Sequence, residues 1–305
     1  MKRLLQYLPA LLLAAVLTSC SFFDNQSTPQ GYVRHCVRLL DSRALYADSP
    51  EWQARKTEIL AAAKSFSTMD EAHAAIQEAA RVAGGKHSFL REPVRDTSSY
   101  VEVAPEFKML EEHVIHLILP AHMGVKVSDS LYTHSVLDFL DGHRDALGVV
   151  LDLRGNTGGN MYPMIAAVSP LLPDGIVLSF KSRKRTMPVS LDYIQRSEGL
   201  SEVARFPEST PVAILTDDWT ASSGEATLLC FRGLDKVRTF GIPTAGYASG
   251  NTPYMLADGY SLVITESCDQ ARTGEVFCDD PIAPDVQTET PLEDALAWIE
   301  SFNLN

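Results

Sequence analysis

The sequence predicts a mixed α/β protein: a small N-terminal helical unit followed by a larger α/β core. Three observations carry this. Between residues 49 and 85, apolar residues recur at helical spacing inside recognisable caps. From about residue 110, short apolar runs alternate with helical stretches, the order that crossover-connected sheets produce. Finally, 45% of the 305 residues are hydrophobic and 21% charged, enough apolar material for a sizeable core.

The elements follow in order. Ser49-Pro50-Glu51 is an N-cap with proline at the first helical position, and Trp52, Ile59, Leu60 and Ala63 then share a face. Ser67 or Thr68 opens a second helix, with Asp70 and Glu71 placed for a capping box, and Gly84-Gly85 closes it. His87 falls on the turn beyond. In the core, Val114–Leu119, Leu147–Leu153, Ile176–Phe180, Val212–Thr216, Val237–Phe240 and Leu262–Thr265 read as strands. Leu131–Leu140, Met161–Leu172, Glu225–Arg232 and Pro291–Phe302 read as helices. The expected divisions are a leader at 1–19, a tether at 20–31, a helical domain at 32–92 and a core at 100–305.

The leader has Lys2 and Arg3 followed by an apolar run, Leu8–Leu17, shorter than the roughly 20 residues a spanning helix needs. That is the layout of a secretory signal peptide. Small residues before a cysteine, in Leu17-Thr18-Ser19-Cys20, resemble a bacterial lipobox, so Cys20 is the expected lipidation site. The expected location is the bacterial cell envelope, held to the inner or outer membrane by acyl chains. The chain carries 26 Lys and Arg against 39 Asp and Glu, a net charge of −13. This balance argues against a nucleic-acid partner, which needs clustered cations. Cys268 and Cys278 either staple a hairpin or stay free, since spacing alone does not decide. No Cys-x-x-Cys occurs, and His113 and His116, three apart on a strand, face opposite ways, so no metal site is expected.

Two turns carry chemistry. In the first, strand Val149–Leu153 runs into Arg154-Gly155-Asn156-Thr157-Gly158-Gly159, a glycine-rich turn whose amides are free to face an anion or simply to turn the chain. In the second, strand Val212–Thr216 reaches Thr220-Ala221-Ser222-Ser223-Gly224-Glu225. A serine there sits at the top of a sheet against a helix start. It is either a nucleophile or an N-cap that Glu225 completes.

Together the turns resemble the C-terminal-processing (tail-specific) serine protease family, which includes the core of tricorn protease. The resemblance rests on Asp152–Gly159, Thr220–Glu225, Gly241-Ile242-Pro243-Thr244-Ala245-Gly246 and Pro281-Ile282-Ala283-Pro284-Asp285, in the family's order over residues 110 to 290. It implies a Clp protease/crotonase-like core and a cofactor-independent serine peptidase acting on a peptide or protein. It implies Ser222 as nucleophile and an oxyanion hole from backbone amides of Gly158 or Gly159 and of Ser223. Where Ser–Lys members carry their lysine this chain has Tyr247, and the only later lysine than Ser222 is Lys236. The tricorn-like branch takes a histidine from the helical region, and His87 matches that place. Its orienting acid falls near Cys278; Asp280 is the first choice, with Glu275 and Asp279 beside it. Glu225 resembles the supporting glutamate of the Ser–Lys members. Leu90–Val114 leaves no room for the roughly 80 to 100 residues of a PDZ domain. The resulting expectation is an envelope serine endopeptidase. Its rivals are an inactive peptide- or ligand-binding protein, or an esterase, on the same fold.

Overall fold

The computed structural model describes residues 25–93, 103–110, 113–124 and 126–303. The expected leader at 1–19 and Cys20 lie outside them. Among the described residues, no helix is long and apolar enough to cross a membrane. The chain divides into two compact units, Met1–Val94 with Asn251–Thr265, and Arg95–Gly250 with Glu266–Asn305.

Among the described residues, the first unit holds three α-helices: α1 (Pro29–Arg43), α2 (Pro50–Ala62) and α3 (Met69–Gly84). Each starts where its sequence satisfies the orphan amides of the first turn. Thr28 accepts from the Gly31 N–H, Ser49 from Trp52, and Thr68 and Glu71 form the reciprocal capping box. Helix α1 thus takes its first turn from the end of the polar stretch expected as a tether. Gly85, at φ 82°, ends α3, a conformation that favours glycine. Strand β1 (Phe89–Arg91) pairs antiparallel with the start of β10 (Ser261–Ala271). Tyr32, Trp52, Ile76, Leu262 and Ile264 are buried together in the core of this unit.

The second unit is built on a sheet of order β12-β8-β7-β4-β3-β2. These strands are β2 (Glu106–Met109), β3 (Val114–Ile118), β4 (Gly148–Asp152), β7 (Val212–Thr216), β8 (Val237–Gly241) and β12 (Val286–Gln287). β3, β4, β7, β8 and β12 pair in parallel and β2 is antiparallel. Alternate side chains enter two cores, as the period of a strand requires. Val149, Leu151, Val212 and Ile214 pack in the larger one with residues of α4 (Lys126–Asp141), α5 (Met161–Ala167) and α7 (Ser223–Leu229). Val150, Ala213 and Leu215 pack with Ala295 and Ile299 of α8 (Pro291–Asn303).

A second sheet region joins β5 (Ile176–Ser182), β6 (Thr186–Ser190), the end of β10 and β11 (Val276–Phe277). Between β6 and β7 lies α6 (Leu191–Ser197), and β9 (Ser249–Met255) pairs β10. Some details differ from the sequence expectation. The helix expected to reach Leu172 stops at Ala167 and continues as a 3-10 turn, Ser169–Leu171, around Pro170, which has no N–H to continue an α-helix. The strand expected at Leu262–Thr265 is the start of an eleven-residue strand. His113 lies before β3 with φ 55°, so only His116 of that pair is in the strand.

Candidate active site

The β4 turn is organised by Asn156, which is fully buried. Its side-chain amide donates to the Leu119 carbonyl at 2.9 Å, and its Oδ1 accepts from the Gly158 N–H at 2.9 Å. Its own carbonyl accepts from the Ala221 N–H at 2.9 Å, joining this turn to the next. Gly158 and Gly159 have φ 99° and 121°, the left-handed region. A Cβ on Gly158 would lie 2.8 Å from Ser222 Cβ and 2.9 Å from the Ser223 nitrogen. Glycine here lets the two turns touch.

The β7 turn is tied down by Asp217 and Thr220. Asp217 accepts from the backbone N–H groups of Gly155, Trp219 and Thr220, and the Thr220 hydroxyl donates to the Leu153 carbonyl at 2.9 Å. Ser222 follows with φ 52° and ψ −115°. For a residue with a side chain this is a strained conformation, worth about 1–3 kcal/mol, held only because its surroundings over-determine it.

Those surroundings converge on Glu225, which is fully buried. Its carboxylate accepts from the Ser222 N–H at 3.0 Å, the Gly246 N–H at 2.9 Å and the Tyr247 N–H at 2.6 Å, and also from the Thr244 hydroxyl. Thr244 Oγ1 in turn accepts from the Ile282 N–H at 2.8 Å. Burial pushes the Glu225 carboxyl up, and these donors pull it part of the way back. Glu225 does reach back to the Ser222 N–H as a capping-box residue would, but its other three donors come from the segment Thr244–Tyr247. Asp285 completes the fourth stretch by accepting from both the N–H and hydroxyl of Thr239, each at 2.9 Å.

His87 lies in the first unit, on the turn after α3. Its carbonyl accepts from the Asn251 side chain at 3.1 Å, Asn251 accepts from Thr265 at 2.8 Å, and the Ser88 hydroxyl donates to Thr265 at 3.0 Å. Burial pulls the His87 imidazole down to about 4, with the Lys86 charge adding to the shift. Of the acids expected near position 278, Glu275 is held by Arg232 at 3.0 Å, which lowers its carboxyl, and Asp280 is exposed. Asp279 and Asp280 run alongside Gly246, where a Cβ would lie 2.9 Å from the Asp279 carbonyl. Cys268 of β10 and Cys278, just after β11, form a disulfide. Among the described residues, no group of three His, Cys, Asp or Glu side chains is placed to hold a metal.

Sequence reasoning assigns no role to Asp269. It is 1% exposed on β10, and its Oδ1 has no hydrogen-bond partner among the described residues. Burial, and then the Glu225 charge, raise its carboxyl well above the ordinary value. The unfolded chain releases this proton above about pH 4 while the folded chain keeps it, so the folded state loses stability as pH rises, by about 1.4 kcal/mol per pH unit until the folded value is reached. Asp269→Asn has the same shape and no proton to lose. We expect its melting temperature to match the parent near pH 4 and to exceed it by several degrees at pH 8. A difference that did not grow with pH would show that Asp269 is ionised in the fold.

A model described as peptidase family S41 matches residues 125–288. The chain is 34% identical over 282 residues to a nisin-resistance protein of Lactococcus lactis subsp. lactis, spanning 90% of this chain and 88% of that protein. The structure of a lipoprotein from Streptococcus agalactiae is similar at a TM-score of 0.82 and 31% identity, over 90% of this chain and 96% of that one. A photosystem II D1 C-terminal processing protease shares the fold at a TM-score of 0.62 and 13% identity, over 85% and 93% of the two chains. The core has the Clp protease/crotonase-like fold of such peptidases. With more than half its length matched by the family model and a full-length relative at this identity, the chain belongs to peptidase family S41.

Proposed function

We propose that this protein is a lipid-anchored serine endopeptidase of the bacterial cell envelope. Ser222 attacks a peptide carbonyl, His87 takes its proton, and the acyl-enzyme is then released by water. The observation that carries this reading is the Ser222 backbone. It is strained at φ 52° and clamped by a buried carboxylate on its N–H, the cost of aiming one hydroxyl. The N–H groups of Gly159 and Ser223 have no partner among the described residues, whereas Gly158 N–H is committed to Asn156. Gly159 and Ser223 are therefore the oxyanion donors in this reading, each worth about 3 kcal/mol in such sites. Asp280 stays the first candidate for orienting His87, with Asp279 beside it, because Glu275 is engaged by Arg232. The anchor at Cys20 is supported by the Leu17–Cys20 pattern and by the similarity to a streptococcal lipoprotein.

Nisin is the first peptide to offer, given the name of the Lactococcus relative. The test is mass spectrometry of nisin and of unstructured peptides after incubation with the parent chain and with Ser222→Ala. Hydrolysed fragments from the parent alone support the peptidase. Cleavage of acyl esters without peptides supports an esterase, and saturable binding with no cleavage a binding protein.

A base with its pKa at about 4 is neutral through most of the acidic range. Activity falls only when pH drops through that value, so kcat/KM at pH 5.5 should exceed half its value at pH 7.5. A half-loss near pH 6.5 would mean the base is an ordinary solvated imidazole.

A further inference from the structure

The oxyanion turn has a second brace that no expected site residue accounts for. His122 is fully buried in the segment between β3 and α4, and its Nε2 lies 2.7 Å from Asp129 Oδ1 on α4. Its ring packs on Tyr132, also from α4, with centroids 4.5 Å apart. The His122 backbone then grips the turn on both sides of Gly159. Its N–H donates to the Gly158 carbonyl at 3.0 Å, and its carbonyl accepts from the Asn160 N–H at 2.6 Å. A Cβ on Gly159 would fall 2.1 Å from the His122 carbonyl oxygen, so the two backbones are in close contact.

The planarity of the peptide gives this grip a consequence. The Gly158 carbonyl and the Gly159 N–H belong to one trans peptide, so they point in opposite directions. A carbonyl held on His122 directs the Gly159 N–H away from His122 and leaves it unspent. We propose that His122, fixed by Asp129, is a positioning residue that sets the Gly158–Gly159 peptide as an oxyanion donor. The inference rests on the reading of Ser222 as nucleophile. His122 touches no reacting atom: Asp129 and Tyr132 hold the imidazole, the imidazole holds its own backbone, and that backbone orients the peptide. The bond to Asp129 gives the buried imidazole a fixed partner, and a buried polar nitrogen left without one is costly.

The test is the rate of labelling of the full chain in detergent by an alkyl fluorophosphonate, resolved into a saturation constant and a maximal rate. His122→Phe keeps the ring stack and loses the bond to Asp129. It should lower the maximal rate at least about tenfold, a fraction of the 10²–10³ that losing a whole donor costs, with the saturation constant unchanged. His122→Gln, which restores a donor near the Nε2 position, should recover most of the rate. If His122→Phe does not fold, Asp129→Ala, which leaves the imidazole unheld, decides in the same way. A folded His122→Phe that labels at the parent's maximal rate overturns the positioning role and leaves the Ser222 reading intact. A parent chain that does not label at Ser222 overturns both.

Discussion

Ser222→Ala is expected to abolish turnover, by a factor of about 10⁴ or more, while the chain stays folded. Both halves follow from the same geometry. Two structural bonds of this residue run through its backbone, where the N–H donates to Glu225 and the carbonyl accepts from Ala226, and its side chain supplies the N-cap half of the capping box with Glu225. Alanine keeps both bonds and tolerates φ 52° no worse than serine. What it removes is the hydroxyl, so the chemistry goes, while the lost N-cap costs about 1 kcal/mol and lowers the melting temperature by only a few degrees. Initial rates on a cleaved peptide, read beside a thermal melt, check both. Residual turnover near the parent rate would place the nucleophile elsewhere. A collapse of the melting temperature would mean that the hydroxyl itself holds the turn.

Glu225→Ala should do the reverse, removing fold and activity together. The substitution leaves four donors without an acceptor: the Ser222, Gly246 and Tyr247 N–H groups and the Thr244 hydroxyl. It also opens a cavity in a fully buried place. Each buried neutral donor left without an acceptor costs about 1–3 kcal/mol, and the cavity adds to that. Glu225→Gln keeps the volume but turns an N–H₂ toward donors that need an acceptor, which should cost about 1–3 kcal/mol. Chemical denaturation should therefore rank the parent above Glu225→Gln above Glu225→Ala, and both variants should lose most activity, because the Ser222 N–H and the Thr244–Tyr247 segment are no longer fixed. Parent-like stability in Glu225→Ala would show that the four donors find solvent or each other at no cost.

How far the sequence speaks depends on whether a residue's role is local. Val212–Thr216 is legible to the residue because a continuous apolar run ends at turn-forming residues, and the strand in the structure has those bounds. The starts of α2 and α3 are legible because a cap is a three-residue code. By contrast β6, Thr186–Ser190, is mostly exposed and contains Pro188, so it has no apolar run to announce it. The second half of β10 hides for another reason. Glu266–Gln270 is polar, and its burial alternates because of what it packs on, not what it is.

The same division runs through the site. Glycines at 158 and 159 and the serine pair at 222 and 223 are short-range signals of tight turns. That Glu225 serves Thr244–Tyr247 as well as its own helix is a long-range fact, and a capping box describes only a quarter of its bonds. Asp269 and His122 are harder still. A lone acid in a polar strand and a histidine between two elements read as surface residues until the fold buries them.

Mass mapping of the full chain after fluorophosphonate treatment, with His87→Ala run beside it, tests Ser222 and His87 together. The expected result is a single adduct on Ser222 in the parent, with labelling slowed by about 10² or more in the histidine variant. An adduct on another residue would contradict the nucleophile, and Ser222 labelling at an unchanged rate without His87 would contradict the base.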